Sequence, residues 1–246
     1  MQSLPTIFVP ARLGSTRFPR KLLADAGGMP LILRTARRLN KEVPEFEKFF
    51  AVDGDELGDV LSGAGYNVIP TNPDLPSGTD RIAQANEQLN RTEVINVQAD
   101  EPLVKREHIL ALAESLQVPD ADLATLAVPF SKVEDFLDPN QVKVVLDEQG
   151  FALYFSRAPI PFNRDGEAGH HFHNKENFKP LKHMGLYAYT APFLAAFARS
   201  KQGVLEKFEC LEQLRAIELG FKLSVSVVSS GSIGVDHPDD LKRIQF

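Results

Sequence analysis

The sequence predicts an α/β fold, a three-layer Rossmann-like arrangement on a mainly parallel, mixed sheet. Three observations carry this. Short apolar runs alternate with amphipathic stretches through the first hundred residues, the rhythm of strand–helix–strand units. Polar clusters follow three of the first four apolar runs, which is where open α/β sheets place their ligands. The 246 residues are 43% hydrophobic, without repeats or low-complexity linkers, and this is enough for one substantial core.

Taken in order, Thr6-Ile7-Phe8-Val9 reads as a buried first strand ending at Pro10, followed by a polar loop over 11–21. Residues 30–39 place Leu31, Ile32, Ala36 and Leu39 at helical spacing. Phe49 to Val52 make a second strand with Asp53 at its end, and 56–64 a helix closed by Gly65. A third strand covers 67–69, a helix 80–89, and a fourth strand 93–97 runs into Gln98-Ala99-Asp100-Glu101-Pro102. Strands are expected at 123–128, 142–146, 151–156, 186–189 and 223–228. Helices are expected from 193, as one long amphipathic element over 205–219, and at 238–244. Residues 163–180 are polar and turn-rich, a long excursion. The division expected is one domain over 1–246 with an inserted subregion near 130–185.

Lys and Arg number 27 against 33 Asp and Glu, a formal charge of −6 without a long basic run. Nucleic acid and acidic membrane surfaces are therefore excluded as main partners, while a local basic pocket for a small anion is not. The N-terminal residues lack a signal-peptide pattern and no apolar stretch approaches the ~20 residues of a membrane span, so a cytoplasmic protein without membrane insertion is expected. Cys210 is the only cysteine, which fits a reducing compartment; beside Leu211 and Leu214 it reads as a small buried hydrophobe.

Three constellations carry chemistry. Pro10 to Lys21 sets a glycine, two hydroxyls and four cations between a strand and a helix. Such a turn is either a basic surface loop or an anion nest in which backbone N–H groups and guanidinium forks grip phosphate. Its spacing is neither a Walker loop nor a dinucleotide fingerprint. Ser77-Gly78-Thr79-Asp80-Arg81 opens a helix: Ser77 or Thr79 can cap it, and the same turn can meet a base or ribose. Asp100 ends a buried strand, where a carboxylate can hold a divalent cation that also contacts a triphosphate. Asp236, in Gly234-Val235-Asp236-His237-Pro238, can supply a second carboxylate.

Eight motifs in order, PAR-x-x-STR-x-P-x-K, SGT-x-R, NVQ-x-DEP, ATLAVP, N-x-VKVVLD-x-x-G-x-ALYFSRA-x-IP, H-x-G-x-Y-x-Y, LE-x-x-E-x-LEQLR and GVD-x-P-x-DL, extend from Pro10 to Leu241. In these the chain resembles the 3-deoxy-manno-octulosonate (Kdo) cytidylyltransferases, the CMP-Kdo synthetases of lipopolysaccharide assembly. The related CMP-sialic acid synthetases share the first motif, but the middle and C-terminal motifs are similar to the Kdo branch. The resemblance implies a nucleotide-diphospho-sugar transferase fold, a homodimer whose contact includes 142–161, and Mg2+ as cofactor. It implies CTP and an acidic eight-carbon sugar as substrates, joined by direct in-line transfer. By position, Ala11, Arg12, Ser15, Lys21, Ser77, Gly78, Arg81 and Gln98 would bind CTP, with Arg12, Lys21 and Asp100 in catalysis. Asp100 and Asp236 would hold magnesium, and Arg17, Arg157, His183, Tyr187, Glu212 and Gln213 would line the sugar pocket.

The chain departs from the family pattern at Arg20, Leu22 and Ala99, where glycine, proline and glycine are usual. These changes leave the sugar open between Kdo and its 8-amino-3,8-dideoxy relative. His170, His171 and His173 can bind zinc or serve as a polar loop near the sugar pocket or subunit contact. Two further readings are a CMP-sialic-acid-type synthetase and a nucleotide-binding regulator without catalysis.

Overall fold

Thr6–Ala11 forms β1 in the computed structural model, which describes residues 4–14, 18–164, 179–232, 234–235 and 237–244. All six β1 residues are buried because the strand lies inside the sheet with helices on both faces. Ile7, Val9 and Ala11 enter one core while Phe8 enters the other, as the two-residue period of a strand requires. The first core takes the apolar stripe of α1 (Leu31–Glu42), Leu57 and Leu61 of α2 (Asp55–Gly63), and Ile109 and Leu112 of α4 (Arg106–Ser115). The second is covered by α3 (Gly78–Leu89), α6 (Ala191–Arg199) and α8 (Gln213–Glu218). The result is three layers, helix–sheet–helix.

With β2 (Lys48–Val52), β3 (Val68–Pro70), β4 (Glu93–Asn96), β5 (Leu123–Pro129), β8 (Leu181–Thr190) and β9 (Leu223–Val227), the strands run in the order β3-β2-β1-β4-β8-β5-β9. The β3-β2-β1-β4 half is parallel, and β9 is parallel to β5, whereas β8 runs against β4 and β5. The hairpin of β6 (Lys143–Leu146) and β7 (Ala152–Ser156) lies off this path and joins through β6 to the start of β8. From β1 the chain goes to β2 on one side and later returns to β4 on the other. That reversal opens a crevice beyond the carboxyl ends of β1 and β4.

Three expectations are corrected. The long helix over 205–219 is two: α7 (Val204–Glu209) ends at Cys210, whose φ of 53° is left-handed, and α8 begins at Gln213. A left-handed residue stops the ladder of helical hydrogen bonds, so the 3.6-residue pattern continues across a real break. Cys210, expected buried, is exposed for the same reason. Strand β8 is longer than 186–189 because its first half pairs with β5 and β6. Helices α4 and α5 (Val133–Leu137) add to the elements anticipated.

Candidate functional site

The loop after β1 is held by two carboxylates. Asp53, at the end of β2, accepts the Leu13 N–H at 3.0 Å and so ties the loop back to the sheet. The short 3-10 turn Lys21–Leu23 then points Lys21 inward, where its ammonium contacts Asp100 and donates to the Val235 carbonyl at 2.9 Å. Val235 in turn donates its N–H to the Asp100 carbonyl at 3.0 Å, so the β1, β4 and post-β9 loops meet at one point. Ser15, Arg17 and Asp236 lie outside the described residues, as do His170, His171 and His173.

A cavity of about 240 Å³ opens over this junction, bordered by Ala11, Arg12, Lys21, Arg81, Gln98 and Asp100 with Gly78 at its edge. Its walls are cationic. Arg81 is 2% exposed; burial foremost lowers its pKa, Asp53 opposes the shift, and repulsion from Arg12 adds to it. Two guanidinium groups close enough to repel each other favour an anion between them. Arg81 is aimed by Thr71, whose hydroxyl it contacts, and by the Asn72 carbonyl at 3.2 Å. Gly78 approaches β1 so closely that a Cβ there would meet Pro10 Cγ at 3.3 Å. Ser77 lies outside this lining. It is the N-cap of α3, accepting the Asp80 N–H at 3.2 Å and donating to the Asp80 carboxylate at 2.7 Å.

Gly78 and Gln98 also border a second cavity of about 500 Å³, so the two spaces share a wall. Tyr187, Glu212 and Gln213 line it, together with Thr79, Asn96 and Tyr189. Asn96 donates to the Tyr189 hydroxyl at 3.1 Å and accepts from Gln98 at 3.3 Å, a link between the cavities. Burial raises the pKa of Glu212, with a hydrogen bond from Thr79 and the charge of Arg215 acting in the opposite sense. The phenol of Tyr187 is likewise pushed well up by burial.

Two expected sugar-pocket residues stand apart from this lining. His183 sits behind Gln213, with Nδ1 3.5 Å from the Gln213 amide and Nε2 3.0 Å from the Thr125 hydroxyl. Arg157 is committed to backbone at the cavity's margin: it donates to the carbonyls of Glu209 at 2.8 Å, Pro139 at 3.0 Å and Cys210 at 3.3 Å, tying the end of β7 to α7. The departures are also placed. Leu22 is 4% exposed in the core, Ala99 accepts from Thr35 at 2.8 Å, and Arg20 takes a left-handed φ of 57° with its side chain on Glu56.

Sequence reasoning assigned no role to Asn96 or Tyr189, offered Thr79 only as an alternative cap, and marked Asp53 only as a polar residue at a strand end. Asn96 and Tyr189 stand within quoted motifs, at every second residue from Gln98 and Tyr187, which places them on the same strand face. No local pattern marks the part Asp53 plays in holding the loop.

A cationic pocket at the switch point of a helix–sheet–helix domain, beside a larger cavity rich in hydroxyl and amide groups, defines a nucleotide-using transferase. The chain matches the cytidylyltransferase family over residues 6–223 and belongs to it. It is 39% identical over 242 residues, 97% of its length and 95% of the relative's, to the 3-deoxy-manno-octulosonate cytidylyltransferase of Sodalis glossinidius (strain morsitans). The solved structure of a CMP:2-keto-3-deoxy-manno-octonic acid synthetase complexed with CTP superposes with a TM-score of 0.88 at 32% identity. That match covers 98% of this chain and 96% of the other. A 4-diphosphocytidyl-2C-methyl-D-erythritol synthase from Anaerococcus prevotii, 14% identical with a TM-score of 0.60, shares the fold over 97% and 96% of the two chains.

Proposed function

We propose that this enzyme transfers a cytidylyl group from CTP to Kdo, releasing pyrophosphate. One observation carries the reading furthest: the cationic pocket and the larger cavity share Gly78 and Gln98, so a triphosphate and a sugar acid would lie side by side. The Sodalis relative and the CTP-bound synthetase support the same pair of substrates.

Arg12, Lys21 and Arg81 would neutralise the triphosphate, and charge stabilisation fixed in advance is the main catalytic resource for this chemistry. The anomeric hydroxyl attacks the α-phosphorus, the new C–O–P bond forms as the bond to pyrophosphate breaks, and the hydroxyl proton leaves to solvent. The donor set suits a hard divalent cation: Asp100 presents a carboxylate at the phosphate pocket, already against a cation. Asp100 and Asp236 would hold magnesium, which when bound offsets phosphate charge and makes the attacking hydroxyl more acidic. Gln98 and Gly78 would position the nucleotide, and Tyr187, Glu212 and Gln213 would bind sugar hydroxyls.

A cytoplasmic homodimer completes the reading. Leu153, Phe162 and Phe208 are 58%, 83% and 89% exposed, in segments held together by Ser156 and Arg157 on Glu209. Large apolar groups gathered in this way call for cover by a partner.

The test is pyrophosphate release from CTP and magnesium, with Kdo and its 8-amino relative in parallel. Turnover with Kdo, reduced about 100-fold or more in Asp100→Ala, is expected. Preference for the amino sugar would move the assignment to that substrate, and turnover with neither would overturn it.

A further inference from the structure

The pairing of β5 with β8 slips at one point: Thr125 faces Tyr187, but the next residue, Leu126, faces Met184. A bulge of this kind re-aims side chains, and here it brings the carbonyls of Met184 and Leu186 beside the fully buried Thr125 hydroxyl. Thr125 Oγ1 donates to Leu186 O at 2.8 Å and to Met184 O at 3.1 Å. A hydroxyl has a single hydrogen, here shared between two carbonyls that can only accept; both contacts are satisfied when it points at them and not at His183 Nε2, which lies 3.0 Å away.

The remaining polarities follow by counting protons. With the hydroxyl hydrogen on the carbonyls, Thr125 Oγ1 is an acceptor toward the ring, which is met when Nε2 carries the hydrogen and donates it. The neutral ring then has a bare Nδ1, which can only accept. Gln213 Nε2, 3.5 Å from Nδ1, is therefore the donor, and the amide oxygen of Gln213 is left for the cavity that this residue lines. Two features keep the ring from escaping this logic. Phe155 packs edge-on at 4.9 Å and Tyr187 lies 5.5 Å away, so the imidazole is walled in. Gln213 is itself 6% exposed at the first turn of α8.

We propose that Thr125 and His183 are positioning residues: through a one-way hydrogen-bond relay they fix the Gln213 amide so that the sugar cavity presents an acceptor to a substrate hydroxyl. Neither residue needs to touch the substrate. The cavity would select a polyol with a donor at this point and discriminate against an analogue in which that hydroxyl is missing.

The sugar-recognition half of the inference rests on the function proposed above; the proton-placement half does not. Full-length protein with 15N-labelled histidine gives the tautomer of His183, assigned by the signal lost in His183→Phe. A single Nε2–H tautomer is expected. Thr125→Val should populate the Nδ1–H form and raise the sugar KM about tenfold or more, with the CTP KM within twofold, and Thr125→Ser should restore both. An unchanged tautomer, an unchanged sugar KM, or a parallel loss of Tm and of both KM values would overturn the relay. If Thr125→Val does not fold, Gln213→Glu asks the same question: it removes the amide N–H that donates to Nδ1, so the ring nitrogen shifts of His183 must change, and unchanged shifts overturn it. Inactive wild-type protein that still shows the Nε2–H tautomer, and its change to Nδ1–H in Thr125→Val, would sink the substrate assignment and support the proton placement.

Discussion

His183 keeps a neutral ring because burial pushes its pKa down to about 3, from an ordinary value of 6.5. Between those limits the unfolded chain binds a proton that the folded protein refuses. Its contribution to stability is therefore complete above about pH 6.5 and is lost as the pH falls toward 3. Burial lowers His108 in the same sense; its Nε2 lies 2.9 Å from the Ser230 carbonyl and its Nδ1 accepts the Lys105 N–H. Glu212 acts oppositely: with its pKa raised, its contribution is present at low pH and is lost as the pH rises through and above the ordinary carboxylate range. Urea midpoints measured from pH 7 to pH 4 should fall, and His183→Gln should flatten the decline. A slope unchanged by that substitution would contradict the burial argument.

At the scale of elements, the break between α7 and α8 is supported by charge. Glu218, from the end of α8, accepts the N–H groups of Val204, Leu205 and Glu206 and so satisfies the start of α7. Arg215 of α8 reaches back to Glu206 of α7 through a two-pronged pair at 2.7 and 2.5 Å, both residues at most 5% exposed, with Phe197 stacked 4.2 Å from the guanidinium. Removing one partner of a buried pair strands the other charge. Arg215→Ala should cost about 3–5 kcal/mol in chemical denaturation, and Arg215→Met with Glu206→Leu should recover most of it. Because the same helix pair carries Glu212 and Gln213 to the cavity wall, the single variant should also weaken sugar binding.

For the molecule as a whole, three loops from distant parts of the chain close on one point: Lys21 after β1, Asp100 after β4 and Val235 after β9. A ligand that bridges them is bound by the folded state alone. CTP with magnesium at 100 times its Kd should therefore stabilise the protein by about 2.7 kcal/mol, read as a rise in Tm. Lys21→Ala should remove most of that rise while changing the Tm of the free protein far less. An undiminished rise in the variant would place CTP elsewhere.

The sequence by itself determined the strand–helix alternation, the buried first strand, the loops that follow β1 and β4, and a capping hydroxyl at Ser77 or Thr79, which the structure resolves to Ser77. These are local: the side-chain period, a proline or glycine stop and a capping hydroxyl act within a few residues of one another. Through its motifs it also determined the family, and it singled out most of the residues that border the first cavity, with Tyr187, Glu212 and Gln213 in the second. Only the tertiary structure decided which polar groups meet. Asp53 holding Leu13, Arg157 committed to three carbonyls, and Thr125 behind His183 each join residues at least 18 positions apart. Cys210 shows the limit from the other side, since the apolar period runs unbroken across a residue whose backbone has turned left-handed. A periodic pattern records which face is apolar; hydrogen-bond polarity across strands depends on register, and register is set by the whole sheet.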